Sequence, residues 1–190
     1  MTILCLIRHG HSTGNRDKLF SGYTEEHHEL TSEGHNQVEQ AARKLSGLTF
    51  TKLWSSKLKR AIQTAQIIRM NSINPPDFWV TAQDLNERNY GQMSNISRTE
   101  AIRKYGQPIV DSWSYTINQK PPGGESIQEV AQRAQRYYKK HIEQNLVEDN
   151  ILIVSHYQII RGLVSYIEEI PLRDTLHNPI NNAEPIIYEF

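Results

Sequence analysis

The residues of this chain best suited to chemistry are Arg8-His9-Gly10, which directly follow an apolar run. That run, Ile3-Leu4-Cys5-Leu6-Ile7, does not alternate with polar residues, a pattern typical of a strand buried on both faces in a parallel sheet. Ligands bind at the carboxyl ends of such strands in open α/β sheets. A cation and an imidazole at this end, followed by short polar side chains such as Asn15, therefore predict a small pocket for an anion.

Two other segments repeat this arrangement. Leu53-Trp54-Ser55-Ser56 leads into residues with helical spacing, and Arg60 falls in the first turns of that helix, where unpaired N–H groups and the helix dipole favour an anion. The apolar run Ile151-Leu152-Ile153-Val154 ends in Ser155-His156, and a second helical pattern follows it. Each segment thus predicts a polar side chain near the junction between a strand and a helix.

These motifs, with Glu87-Arg88-Asn89-Tyr90-Gly91 between them, resemble the histidine phosphatase superfamily and most closely its cofactor-dependent phosphoglycerate mutase branch. The resemblance covers nearly the whole chain, and the motifs occur in the same order as in the superfamily. It implies five catalytic residues: His9, Glu87, His156, Arg8 and Arg60. In the superfamily the first histidine becomes phosphorylated, the arginines bind the phosphate, and the carboxylic acid protonates the leaving oxygen.

The chemistry that this set implies is phosphoryl transfer through a phosphohistidine. A phosphate monoester hydrolyses so slowly that enzymes accelerate the reaction by up to ~10²¹-fold. Arg8 and Arg60 would neutralise the dianion with planar forks of donors, and a protonated His156 would add a third positive group. Neutral His9 would attack in line while Glu87 donates a proton to the departing oxygen. No metal is required for these steps.

The resemblance also implies a substrate-binding set: Asn15, Ser21, Gly22, Arg88, Tyr90, Arg98, Tyr157 and Gln158. Within this set, Arg98 takes the place of a mutase lysine, and Tyr157 stands where the family usually has glycine, so it is expected to narrow the pocket. The stretch from Tyr23 to Glu29 is expected to be a solvated turn that includes His27 and His28. The segment from Gly91 to Gly124 has little regular pattern and is expected to cover the pocket.

The covering segment favours a phosphatase over a mutase. The mutases carry adjacent arginines between a tryptophan and a Ser-Tyr pair, whereas this chain reads Trp113-Ser114-Tyr115 with neither arginine. A mutase must also exclude water from its phosphoenzyme, and the covering segment here looks shorter than in the mutases. The expected function is removal of phosphate from a small phosphorylated metabolite through a phosphohistidine at His9, with no cofactor. The alternative is a 2,3-bisphosphoglycerate-dependent phosphoglycerate mutase, with 2,3-bisphosphoglycerate as its cofactor.

Two alternatives of other classes remain. A zinc hydrolase could use several of the histidines at positions 9, 11, 27, 28 and 35, but their spacing matches no zinc motif. A non-catalytic binding protein could share the fold, although all five catalytic residues of the superfamily are retained.

The elements needed to position these residues predict an α/β fold with three layers, a mainly parallel sheet with helices on both faces, similar to phosphoglycerate mutase. Helical stripes after Thr31 and Ser126 are expected to pack on that sheet, and residues 1–190 are expected to form a single domain. The resemblance implies a small-molecule phosphate ester as partner. The balance of Lys+Arg 21 against Asp+Glu 21 predicts no nucleic-acid partner and no membrane partner. The lone Cys5 excludes an internal disulfide, and a cytoplasmic monomer or homodimer is expected.

Overall fold

A five-stranded sheet forms the frame of the fold in the computed structural model, which describes residues 1–23 and 28–190. Its strands are β1 (Ile3–Arg8), β2 (Lys52–Ser56), β3 (Phe78–Ala82), β4 (Ile151–Ser155) and β5 (Pro185–Glu189). The strand order is β3-β2-β4-β1-β5, and all neighbours are parallel except β1 and β5. The carboxyl ends of β2, β4 and β1 are therefore side by side at one edge of the sheet.

Seven helices connect and cover the described strands: α1 (Thr13–Arg16), α2 (Ser32–Leu45), α3 (Lys59–Met70), α4 (Arg98–Tyr105), α5 (Gln107–Tyr115), α6 (Ile127–His141) and α7 (Tyr157–Ile167). The predicted helices after Thr31 and Ser126 are α2 and α6. The Thr31 side chain accepts from the Gly34 N–H at 3.1 Å, and Ser126 forms a capping box with Glu129. Their starts were visible in the sequence because capping is local.

The alternating side chains of β1 point into two separate cores. Cys5 and Ile7 pack with α2 and α3 on one face, whereas Leu4 and Leu6 pack with α6 and α7 on the other. All four side chains are fully buried, and each large one contributes about 1.5–3 kcal/mol by leaving water. The predicted three-layer α/β fold is thus confirmed.

The segment from Gly91 to Gly124 is more regular than the sequence pattern indicates. It contains α4 and α5, which pack together over a small third core of Met93, Ala101 and Val110. Helices of 8 and 9 residues are too short to display a clear apolar period. Gly106, with φ at 85°, separates them in a conformation that other residues rarely adopt.

The prediction of a solvated turn is wrong at His28, and His27 lies outside the described residues. His28 is 4% exposed, and its Nε2 lies 2.8 Å from the Asn95 Oδ1. Asn95 lies in the covering segment, 67 residues away in sequence, so no local pattern could reveal the contact. In the part of the chain that the structure describes, no helix has the length and apolar character needed to cross a membrane.

Candidate active site

His9 follows β1 directly and has the geometry of a nucleophile. Its main-chain N–H donates to the Ser155 carbonyl at 3.0 Å, which ties it to the end of β4. Its ring Nδ1 lies 2.7 Å from the Gly10 carbonyl, and since a carbonyl can only accept, Nδ1 carries the proton. The pKa of His9 lies well below its usual value because the ring is buried and because Arg60 and Arg8 are close by. Nε2 therefore keeps a free lone pair.

Two arginines flank this histidine. Arg8 ends β1, and its Nη1 donates to the Ile180 carbonyl at 2.8 Å. Arg60, the second residue of α3, is 1% exposed, and its Nη2 donates to the carbonyls of Ser21 and Gly22 at 3.3 and 3.4 Å. Main-chain oxygens thus help to hold both guanidinium groups in position.

Glu87 lies beyond the carboxyl end of β3 and is 5% exposed. One carboxylate oxygen, Oε1, accepts the main-chain N–H of Arg88 at 2.8 Å and that of Gln158 at 3.2 Å. This leaves Oε2 as the oxygen available to a substrate. The loop is held from α6 by Arg133, whose guanidinium donates to the carbonyls of Asp84, Asn86 and Glu87 at 2.7 to 3.4 Å.

His156 lies behind His9, with ring centroids 5.0 Å apart. It is fully buried, and its Nε2 is 2.7 Å from the Ser56 Oγ. Burial first, and then the charges of Arg60, His9 and Arg8, keep the pKa of His156 well below its usual value. These surroundings therefore favour the neutral form of His156, whereas the sequence analysis expected a protonated ring as a third positive group.

One cavity of about 240 Å³ brings most of the predicted residues together. Its lining comprises Arg8, His9, Ser12, Asn15, Leu19, Phe20, Ser21, Arg60, Glu87, Tyr90 and Tyr157. Asn15 Oδ1 accepts from the Ser12 N–H at 3.0 Å, which leaves its Nδ2 donor for a ligand. An imidazole, two guanidinium groups and a carboxyl group around so small a space suit a phosphate monoester.

A second cavity of about 210 Å³ adjoins the first and shares Phe20, Tyr90 and Tyr157 with it. Its other lining residues are Arg88, Arg98, Ser114, Tyr115, Gln158, Arg161 and Leu176. The predicted substrate-binding residues are therefore divided between two cavities, and Gly22 lines neither.

The three arginines of the second cavity differ in how they are held. Arg88 donates to the main-chain carbonyls of Glu125, Trp113 and Gln119 and so anchors the covering segment. Arg98 forms an ion pair with Asp111.

Arg161, which the sequence reasoning missed, makes hydrogen bonds only to uncharged groups, those of Gln158, Tyr157 and Leu176, among the described residues. Its position four residues after Tyr157 on α7 was the available signal.

No group of three histidine, cysteine or carboxylate side chains within residues 1–23 and 28–190 is arranged to hold a metal ion. This statement does not extend to His27, which belonged to the zinc alternative.

Comparison with known proteins gives a consistent family. The chain matches the family model described as "Histidine phosphatase superfamily (branch 1)" over residues 4–190. It is 36% identical over 191 residues to a 2,3-bisphosphoglycerate-dependent phosphoglycerate mutase of Cytophaga hutchinsonii, covering 100% of this chain and 88% of the relative.

Among solved structures, the alpha-ribazole phosphatase from Shigella flexneri matches with a TM-score of 0.84 and 24% identity, covering 98% of this chain and 89% of that one. A mycobacterial glucosyl-3-phosphoglycerate phosphatase matches with a TM-score of 0.83 and 21% identity, covering 98% and 89%. At these identities the two structures establish a common fold.

Proposed function

This chain belongs to branch 1 of the histidine phosphatase superfamily, and we propose that it is a phosphatase that removes phosphate from a small phosphorylated metabolite. The observation that carries the proposal is the convergence of His9, Arg60 and Glu87 on one small cavity. In-line attack by the His9 Nε2 breaks the bond between phosphorus and the leaving oxygen and forms a phosphohistidine. The proton of the Glu87 carboxyl goes to the leaving oxygen.

The second half of the reaction returns the enzyme to its starting state. Water attacks the phosphorus, the bond between phosphorus and the His9 nitrogen breaks, and Glu87 takes a proton from the water. Arg8 and Arg60 stabilise the equatorial oxygens in both halves because their guanidinium groups are already in place. These steps call on side chains alone.

The substrate that fits best carries a second anionic group. The second cavity is lined by three arginines and by no carboxylate, and Arg161 has no charged partner among the described residues. Its Nε is buried without a hydrogen-bond partner in that part of the chain. A carboxylate or second phosphate would meet these donors while the first phosphate lies beside His9.

Phosphoglycerate mutase activity is the second candidate, favoured by the relative with 36% identity that bears this name. The two adjoining cavities fit 2,3-bisphosphoglycerate, since Arg8 and Arg60 would hold one phosphate and Arg98 and Arg161 the other. When bound, that compound supplies a phosphoryl group to the histidine. We favour water over a phosphoglycerate hydroxyl as the acceptor of the phosphoryl group, because the adjacent arginines that the mutases carry at this place are absent between Trp113 and Ser114.

The deciding experiment follows labelled phosphoryl groups from 2,3-bisphosphoglycerate with and without added 3-phosphoglycerate. A phosphatase releases one labelled phosphoryl group as inorganic phosphate at the same rate under both conditions, and the other stays on the phosphoglycerate that hydrolysis leaves. Suppression of this release by 3-phosphoglycerate, with the label transferred to the added phosphoglycerate, would establish the mutase.

Catalysis itself is tested with p-nitrophenyl phosphate. Turnover should persist in a strong chelator and vanish in His9→Ala, whereas His35→Ala, a change at an exposed histidine, should behave as the wild type. Quenched wild type should carry an acid-labile, alkali-stable phosphoryl group at His9. Full turnover by His9→Ala would refute the mechanism, loss of turnover in chelator would favour the zinc hydrolase, and no turnover of any ester would favour the binding protein.

A further inference from the structure

Three buried side chains from different segments form a continuous hydrogen-bonded chain behind the nucleophile. They are Asn86, Ser56 and His156, with exposures of 4%, 0% and 0%. The Ser56 Oγ lies 2.9 Å from the Asn86 Oδ1 and 2.7 Å from the His156 Nε2. Two of these residues had no place in the catalytic set inferred from the sequence.

The orientation of the Asn86 amide is fixed at both ends. Its Nδ2 donates to the Tyr23 carbonyl at 3.1 Å, and its Oδ1 accepts the Lys57 N–H at 3.0 Å. Rotating the amide by 180° would place an NH₂ group against an N–H and an oxygen against a carbonyl. Oδ1 therefore faces Ser56 as an acceptor.

The direction of the remaining bonds follows from that orientation. Ser56 has one hydroxyl hydrogen, which goes to the Asn86 Oδ1, so its oxygen can only accept from its other partners. One of these is the Leu58 N–H at 3.1 Å, and the other is the His156 Nε2. The His156 Nε2 must consequently carry the proton.

A neutral His156 with its proton on Nε2 has a bare lone pair on Nδ1. That atom is buried and has no hydrogen-bond partner among the described residues. His156 lines neither cavity, but its ring centroid is 5.0 Å from that of His9. Since Nε2 is occupied by Ser56, Nδ1 is the ring nitrogen left for an oxygen of a phosphate bound beside His9. An unprotonated nitrogen and a phosphate dianion would repel one another at hydrogen-bond distance.

We propose that Asn86 and Ser56 are positioning residues that hold His156 in the Nε2-protonated form, so that binding of a phosphate dianion takes up one proton at the His156 Nδ1. The balance is one dianion, one neutral imidazole and one proton from solvent, giving a dianion paired with an imidazolium. No covalent bond changes. The proposal rests on the proposed function only in requiring that a phosphate group binds beside His9.

The charges around His156 explain why the proton arrives with the ligand. The positive groups near it are Arg60 on α3, Arg8 at the end of β1 and Arg133 on α6. These three, together with His9 directly after β1, disfavour an imidazolium. Glu87 lies close by, accepting the main-chain N–H of Gln158 on α7. A bound dianion offsets the positive charges and favours the protonated ring.

The first test measures proton uptake when phenylphosphonate binds, because its dianion has no hydroxyl hydrogen that could bond to the His156 Nδ1. Calorimetry in buffers of different ionisation enthalpy is carried out at about pH 8.5, where the probe is a dianion. The protein is the Glu87→Gln variant, which removes a carboxyl group beside the probe. Since the His9 Nε2 also has a free lone pair there, the same measurement on Glu87→Gln/His156→Gln assigns the proton. About one proton should be taken up per phosphonate in the first protein and none in the second, and in the first the Kd should rise about tenfold per pH unit at alkaline pH. Binding without uptake, or equal uptake in both proteins, would overturn the proposal.

The second test reads the tautomer directly. Nitrogen NMR of histidine-labelled wild type should show His156 protonated at Nε2, with the signal assigned by its loss in His156→Gln. Ser56→Ala removes the acceptor and should shift the proton to Nδ1 and lower the uptake to less than half. Ser55→Ala, the same substitution one residue earlier in β2, should leave both unchanged because its hydroxyl bonds to Trp79 instead.

The wild-type spectrum keeps the proposal falsifiable if Ser56→Ala fails to fold. A proton on Nδ1 in the wild type, together with normal turnover of p-nitrophenyl phosphate, would refute the positioning role of Asn86 and Ser56 and leave the proposed function intact. Failure of the wild type to turn over any phosphate ester, with the Nε2 tautomer observed, would refute the proposed function alone.

Discussion

Replacing Glu87 by Gln separates proton donation from the other contributions to catalysis. The substituted amide keeps the local structure, because its oxygen can still accept the N–H groups of Arg88 and Gln158 at the positions Oε1 now occupies. The amide nitrogen then takes the place of Oε2, the oxygen available to the substrate. It fills the same volume but has no proton to transfer to a leaving oxygen.

The size of the effect should depend on the ester. A positioned general acid contributes roughly 10²–10⁴-fold, or about 2.7–5.4 kcal/mol at about 1.36 kcal/mol per tenfold. An alkyl alkoxide needs that proton, so kcat/KM for an alkyl phosphate should fall by the full amount. A nitrophenolate leaves as a stable anion, so kcat/KM for p-nitrophenyl phosphate should fall by less than about tenfold.

The assay compares kcat/KM for the two esters in wild type, Glu87→Gln and Glu39→Gln. Glu39 is a suitable control because its side chain is 51% exposed on α2 and pairs with Arg43, one turn later. Thermal unfolding of each protein reports whether the fold is retained. Equal losses for the alkyl and the nitrophenyl ester would refute the assignment of Glu87 as proton donor.

Three further predictions concern the second cavity, the loop after β1 and pH. Arg161→Leu should raise KM at least tenfold for a phosphate ester that also bears a carboxylate, and should leave KM unchanged for a phosphate ester with no second anionic group. Equal effects on the two esters would exclude Arg161 from anion binding. Gly34→Ala should destabilise the fold by about 1–3 kcal/mol because its Cβ would lie 2.0 Å from the His11 carbonyl, whereas Gly47→Ala, with no atom within 4 Å, should be neutral by denaturant unfolding. The pKa values of His9 and His156 are lowered in the folded protein, so the unfolded chain binds more protons below about pH 6.5. As the pH is lowered below that value, the free energy of unfolding should fall by up to about 1.4 kcal/mol per pH unit for each histidine. A pH-independent unfolding free energy between pH 5 and 6.5 would contradict the burial of both rings as neutral groups.

The sequence alone predicted the elements whose signals are local. The unbroken apolar runs of β1 and β4 and the caps at Thr31 and Ser126 each depend on residues within a few positions of one another. The positions of His9 directly after β1 and of His156 directly after β4 follow from the same local signals. Since parallel strands end at a common edge, this was enough to anticipate one pocket.

Only the tertiary structure decided how that pocket is charged and shaped. The lowered pKa of His156 comes from its burial, and the tautomer that we propose depends on Ser56 and Asn86, which are 100 and 70 residues away in sequence. Arg161 became a candidate ligand because α7 places it at the cavity beyond Tyr157. Hydrogen-bond direction, pKa and cavity lining are set by neighbours in space, and apolar periodicity carries no information about them. The sequence therefore determined which groups lie at the strand ends, and the packing of the layers determined which distant groups contact them and how their protons are placed.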